Sequence, residues 1–360
     1  MLKIIDLYII KKFLGTFFFT LLIIMCIAVI FDIQEKYEDF VLNNAPLKEI
    51  IIDYYLNFIP YYANLFANLF VFITAIFVTS KMAANTEIIA IHASGVSFNR
   101  FLLPYFVATT VIAVLSWVLI MYIIPVSNKI KIDFEDKYVF NKVVNWERNI
   151  HRQVRPGEFI YIESYNVDSD NAFRFSMEKF DENGVLQSKL TSDYARWNAE
   201  TERWDVYNYV IRDMLPNQQI IRKGQLLDTV FYLTPEDFKM RNMYVDRMNI
   251  DELNAYIDTQ ILQGTDNIDR LLVEKHKRWS FPFSNFILML LGVCLSNKKK
   301  RGGTVVNIVI GFALAFMYIM LFQVTTTFTI YADLDPFIAV WLPNFLYAIV
   351  CFFLYRNAKI

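Results

Sequence analysis

Six windows of this chain contain no Lys, Arg, Asp or Glu: residues 13–31, 54–80, 101–128, 279–297, 302–332 and 336–355. A helix needs ~20 residues to cross the hydrocarbon core of a bilayer. Backbone inside lipid must satisfy its own hydrogen bonds, which leaves helices or closed barrels, and runs this long and apolar read as helices. The first window is too long for the apolar core of a cleaved signal peptide and lacks a small-residue cleavage site, so it too reads as a spanning helix. Between the third and fourth windows lies a charged, strand-rich block large enough to form a domain in water. The expected fold is a mixed membrane protein of six transmembrane α-helices, three plus three, with an inserted all-β domain. Its boundaries are expected at 1–128 for helices one to three, 129–248 for the β domain, 249–278 for an amphipathic helix and connector, and 279–360 for helices four to six.

Orientation follows from the basic residues, which concentrate on the cytoplasmic side of spanning helices. Lys3, Lys11 and Lys12 precede the first helix, and Lys81 and Arg100 lie between the second and third. Lys298, Lys299, Lys300 and Arg301 join the fourth and fifth, and Arg356 and Lys359 end the chain. The alternate connections are acidic: Asp32, Glu35, Glu38, Asp39, Glu49 and Asp53 against Lys36 and Lys48, then Asp333 and Asp335. Both termini are therefore expected in the cytoplasm and the β domain outside it. The formal net charge of −1 carries no nucleic-acid footprint. Cys26, Cys294 and Cys351 all fall in membrane windows, so the β domain has no internal disulfide to hold it.

Alternation of period two marks the strands of the inserted block. Phe173 to Glu178 alternates apolar and polar residues, Asp181-Glu182-Asn183-Gly184 supplies a turn, and Val185-Leu186 begins the return. Phe159 to Ile162 follows the turn pair Pro156-Gly157. Trp197 and Trp204 flank a polar hairpin end. Short strands at this spacing suggest a sandwich or jelly roll. Residues 249–263 change to helical spacing, with Leu253, Tyr256, Ile257 and Ile261 on one face, Asn249 and Glu252 suited to a capping box, and Gly264 suited to the end. Such a helix either packs on its own domain or lies at the membrane surface.

Catalytic signatures are missing. The chain has no phosphate-binding loop, no H-E-x-x-H pair and no G-x-S-x-G elbow, and His92, His151 and His276 are far apart, so no enzyme activity, cofactor or metal is expected. Asn57, Asn64, Asn68, Gln323 and Thr325 to Thr327 suit helix–helix contact better than a transport path. The tyrosines Tyr54, Tyr55, Tyr61 and Tyr62 suit an interface belt. Pro60 is expected to kink the second helix, and Pro282 to lie in the first turn of the fourth, where a missing N–H costs little.

The connection at 81–100 is too polar to span and too apolar for a linker. Asn85 or Thr86 can cap a short helix, Glu87 suits its positive end, Gly95 can close it, and Ile88, Ile89 and Ile91 then require cover.

Asn85-Thr86-Glu87-Ile88 with His92-Ala93-Ser94-Gly95 resembles the cytoplasmic coupling segment of the lipopolysaccharide export permeases LptF and LptG. The resemblance runs nearly end to end, through Phe159 to Glu163, the Trp204 strand, Leu233-Thr234-Pro235-Glu236, the run His276 to Pro282, and Gly302-Gly303 after the basic turn. Asp6-Leu7-Tyr8-Ile9 and Asp32 to Lys36 are closer to LptG. It implies the permease subunit of an ATP-driven transporter in the cell inner membrane, extracting lipopolysaccharide and passing it to a periplasmic bridge. The partners it implies are two copies of an LptB-like ATPase, a second LptF/LptG-type permease, and LptC-like and LptA-like periplasmic proteins, with the β domain a periplasmic jelly roll. By the same resemblance Glu87, Ile88, His92, Ser94 and Gly95 transmit ATPase closure. Phe17, Phe18, Phe31, Phe312 and Phe316 are candidates for acyl-chain contact. Family members often place several basic residues at the outer mouth of the cavity; here Lys36 stands there, with Arg278 and Lys48 as fallbacks. The opposing expectation is a membrane-held periplasmic receptor or envelope assembly scaffold without transport. Lipid export fits the apolar trunk, because exposing acyl chain to water costs about 0.8 kcal/mol per CH₂ and a twelve-carbon chain about 10 kcal/mol.

Overall fold

The computed structural model describes residues 3–139, 148–167, 169–215, 218–235, 238, 242–264, 268–298 and 303–358. It contains the six long apolar helices expected of a membrane protein. Helix α1 (Ile4–Leu42) is followed by α2 (Leu56–Ala84), the short α3 (Glu87–Ala93), α4 (Phe98–Val118) and α5 (Ile124–Tyr138). After the strands come α6 (Ile250–Gln263), α7 (Ile268–Ser296), α8 (Gly303–Ala332) and α9 (Pro336–Ala358). Wider π-helical turns at Ile50–Tyr55 and Leu119–Ile123 carry the chain into α2 and from α4 into α5, so the second and third spans are continuous over Leu47–Ala84 and Phe98–Tyr138. The 39 residues of α1 rise about 58 Å at 1.5 Å each, nearly twice the ~30 Å core. The excess carries the polar turns at its two ends.

Residues 1–134, 246–250 and 269–360 form one compact helical unit, and 135–245 with 251–268 form the second. The first division between the units falls after 134, within α5. Charge near a helix end does not stop a helix; it only ends the part that lipid can cover.

In the helical unit α2 is the central post. Gly292 of α7 comes so close that an added Cβ would lie 2.8 Å from the Cβ of Ala75, and one on Gly311 of α8 would meet Ile76. Polar pairs join the same helices. Asn68 donates to Ser284 at 2.6 Å, Ser116 to Asn64 at 2.6 Å, and Asn307 to Ser80 at 3.1 Å. These are the interhelical contacts expected of Asn64 and Asn68, where small residues and hydrogen bonds replace the hydrophobic drive that lipid removes. Thr325, Thr326 and Thr327 instead bond back to carbonyls of their own helix.

Pro282 departs from expectation. Helix α7 begins at Ile268, so Pro282 sits deep inside it, where its missing N–H withholds a bond from the carbonyl of Arg278. The charged turns 269–278 belong to the helix although no lipid could cover them.

The sheet unit is an antiparallel meander. Strands β1 (Arg148–Arg155) and β2 (Glu158–Asn166) pair first. A broken strand, β3 (Asn171–Phe173) and β4 (Ser176–Phe180), pairs along β2. A second broken strand, β5 (Leu186–Thr191) and β6 (Tyr194–Asn198), returns beside it, followed by β7 (Arg203–Leu215) and β8 (Gln218–Thr229). The alternation at 173–178 is therefore one strand interrupted in the middle. Arg174 takes a positive φ of 49° and donates its N–H to Asp193, while Ser192 donates to Phe175, so the two breaks face each other and the sheet bends there. The turns fall where the residues place them: Asp181 accepts from the N–H groups of Asn183 and Val185, and Trp197 pairs with Trp204 across the next hairpin. Ile160, Ile162, Met177, Ala195, Trp204 and Val206 form the core, closed by Phe231 and Leu233, whose carbonyl accepts the Trp204 indole N–H at 2.8 Å.

Helix α6 packs within this unit, burying Leu253, Ile257, Gln260 and Gln263, with Gln263 accepting from Arg152 at 3.3 Å. Ile261 is exposed, and Gln260 takes the inward place expected of it. The buried stripe runs 253, 257, 260, with Gln263 one turn on, and an amide with partners can be buried as a hydrocarbon is.

Candidate functional site

The connection from α2 to α4 is built around α3. It starts at Thr86, which takes φ +63° and whose hydroxyl donates to the Asn85 carbonyl instead of capping the helix. Gly95, at φ +84°, closes the far end as its residue type suggests. Between them the residues expected to act together divide into two sets. Ile88 is buried, in a core with Ile9 and Phe13 of α1, Met82 of α2 and Phe98, Phe101 and Tyr105 of α4. His92 bonds the carbonyl of Val96 at 2.8 Å and lies edge-on to Phe101, fastening the turn into α4. Ser94 and Gly95 are exposed, with Ala90, Ala93 and Ile89, whose side chain is 61% exposed.

Glu87 turns toward α1. Its carboxylate accepts from Tyr8 at 3.1 Å, from Lys12 at 3.4 Å and from Asn85 at 3.1 Å. Burial alone would raise this carboxyl, but the hydrogen bonds from Asn85 and Tyr8 and the charge of Lys12 outweigh it and hold it below the ordinary glutamate range. Nearby, Arg100 at the start of α4 grips both oxygens of Asp6, at 2.8 and 2.6 Å. This fork geometry is the strong form of an ion pair.

A second charged group lies near the start of α2. Tyr61, Asn64, Asp246, Glu274, Lys277 and Arg278 are among the residues lining a cavity of about 60 Å³. Lys277 pairs with Glu274 at 3.3 Å, Arg278 donates to the carbonyl of Met248 at 2.8 Å, and Asn128 donates to that of Asp246 at 3.2 Å. Arg247 and Asp133 pair beside them at 2.7 Å. Burial, then the charge of Glu274, pushes the Asp246 carboxyl up to about 6. Lys36 is engaged as well. It donates to the Tyr54 hydroxyl and pairs with Asp32 at 3.5 Å, while Tyr54 and Tyr55 both donate to Asp32.

Of the phenylalanines, Phe18, Phe31, Phe312 and Phe316 are exposed on α1 and α8, at 44 to 67%. Phe17 is 2% exposed and belongs to the core beside Phe13, so it has no open face for a lipid chain. Each of the three histidines packs on an aromatic ring of its own unit: His92 on Phe101, His151 on Tyr161, His276 on Phe337.

Sequence reading used Lys12 and Arg100 only for orientation and Asp6 and Tyr8 only for the resemblance, and it gave no site role to these four or to Asp246 and Lys277. Tyr8 and Lys12 did carry a signal, two polar groups four residues apart and so on one face at the start of α1. The Asp6–Arg100 pair spans 94 positions and leaves no local trace.

The chain matches the family described as lipopolysaccharide export system permease LptF/LptG over residues 7–357. No curated protein matches it.

Proposed function

The chain belongs to the LptF/LptG family of lipopolysaccharide export permeases, and from that premise we propose that it is the permease subunit of an ATP-driven transporter that extracts lipopolysaccharide from the inner membrane and delivers it to a periplasmic bridge. ATP is hydrolysed by a separate LptB-like ATPase on the cytoplasmic face, where the chain termini and α3 lie. A second permease of the family completes the membrane channel. The sheet unit, on the periplasmic side, passes the lipid on with LptC-like and LptA-like partners.

The observation that carries this reading is the two-sided character of α3. One side is bolted into the bundle by Ile88, while Ile89, Ala90 and Ala93 are left outward with small neighbours that a partner can approach closely. A scaffold without transport needs no such exposed element. The exposed phenylalanines of α1 and α8 supply the apolar surface for acyl chains. Lys36 and Arg278 are both committed within this chain, which leaves the exposed Lys48 and the second permease to meet the anionic headgroup.

Gentle solubilisation and affinity purification test the reading. The chain should retain a cytoplasmic ATPase and a second permease of similar size, and Glu87→Arg should weaken lipid-stimulated ATP hydrolysis. Purification of the intact chain with neither partner, or an arginine variant indistinguishable from wild type, would favour the scaffold.

A further inference from the structure

Helix α3 is fastened to α1 more specifically than to the helices on either side of it in sequence. The Glu87 carboxylate faces α1, where it accepts from Tyr8 and Lys12, and Lys12 in turn donates to the Tyr8 hydroxyl at 2.8 Å. The three groups close a ring between positions 79 residues apart. Ile88, the next residue, is buried in a core that includes Ile9 and Phe13 of α1. At the other end of the connection Arg100 grips Asp6, whose carboxylate also accepts the N–H of Lys3 at 2.6 Å. The first turns of α1 are thus held at both ends of the 87–100 segment. By contrast, the joint from α2 to α3 passes through the left-handed Thr86, where the helical bonding of α2 stops.

We propose that Tyr8 and Lys12 are positioning residues of the coupling step: they tie α3 to α1, so that a load applied to α3 moves α1 directly. This rests on the reading of α3 as the docking element of an ATPase. The packing of the helices supports the direction of transmission. Only 17% of the most apolar window of α1 is buried, against 61% for α2. A helix fastened at its ends and sparsely packed between them yields to a load that a centrally packed helix resists. The helix that moves is also the one that presents Phe18 and Phe31 to the lipid side.

The test uses the full complex reconstituted in lipid vesicles and reads three quantities: ATPase retained on purification, ATP hydrolysed, and lipopolysaccharide released to a soluble acceptor. Lys12→Glu should keep the ATPase and its hydrolysis yet release about tenfold less lipid per ATP. Lys12→Arg should retain the wild-type ratio. Lys11→Glu, the same charge change on an exposed neighbour, should also leave it unchanged. A Lys12→Glu complex that transports normally, or one that fails by shedding its ATPase, overturns the proposal. Should Lys12→Glu fail to assemble, Tyr8→Phe, which removes only the hydroxyl that bonds Glu87, decides the matter in the same assay. It should also lower the lipid released per ATP with the ATPase retained, and a wild-type ratio would show that the link does not carry the load. A wild-type complex with no ATPase would count against the functional reading itself.

Discussion

Helix α1 and the span that ends in α2 are 39 and 38 residues long, yet the protein holds them in opposite ways. Along α2 the grip is continuous: Asn64, Asn68 and Ser80 bond to α4, α7 and α8, and Gly292 and Gly311 let α7 and α8 close against it. Along α1 the grip is concentrated at the ends, in Asp6–Arg100 and Lys12–Glu87 at one and Asp32–Lys36–Tyr54 at the other. Packing spread along a helix makes a post, and fastening at its ends makes a part that can move as a unit. Charge pairs at the ends are also the contacts a partner can compete for, whereas a buried glycine contact offers nothing to exchange.

The largest predicted effect attacks the post. Gly292→Leu should lower stability by about 3 kcal/mol, because its side chain must displace Ala75 and the Phe72 carbonyl, 2.8 and 3.1 Å from the Cβ position. Thermal unfolding in detergent reads it, and an unchanged midpoint would mean that α2 and α7 are not packed so tightly. Arg100→Ala comes next, with a smaller drop in the unfolding midpoint. It leaves the nearly buried Asp6 without its fork, but the arginine is 31% exposed, so the loss falls below that of a fully buried pair. Asn68→Ala should cost about 1 kcal/mol by removing the bond to Ser284. The smallest effect is that of pH at the α1–α3 link. The folded Glu87 has a depressed pKa, so its contribution is complete above the unfolded value and fades as pH falls through the folded one. Amide exchange in α3 should hold steady from pH 7 to 5, with protection falling by a few tenths of a kcal/mol only in more acid solution. A decline that starts near pH 6 would place the responsible group elsewhere.

The two helices also differ in how far their roles were legible. For α2, Asn64 and Asn68 stand out in an apolar window, and their use as contacts between helices follows from the solvent. For α1, the decisive residues lie at the margins of the window, where charge is ordinary and signals orientation before anything else. The hairpin turns of the sheet unit were visible because Asp181, Gly184 and the Trp197–Trp204 pair act within a few residues. The break at Arg174 was not, since it depends on a second break at Asp193 in the strand beside it. The interior position of Pro282 was hidden because the charged start of α7 carries no mark of lipid. At α3, Glu87, Ile88 and His92 were legible as a group, but which of them faces inward is settled by Ile9, Phe13 and Phe101, remote in sequence.

Transfer of lipopolysaccharide from vesicles to a soluble acceptor, compared between wild type and Ile89→Asp in the reconstituted complex, tests most directly whether an engine docked on α3 drives this permease. Ile89 is exposed, so the variant should fold and melt as wild type does. Transfer should require ATP in the wild type and disappear in the variant together with the bound ATPase. Transfer that proceeds without ATP, or survives the aspartate undiminished, would contradict the account.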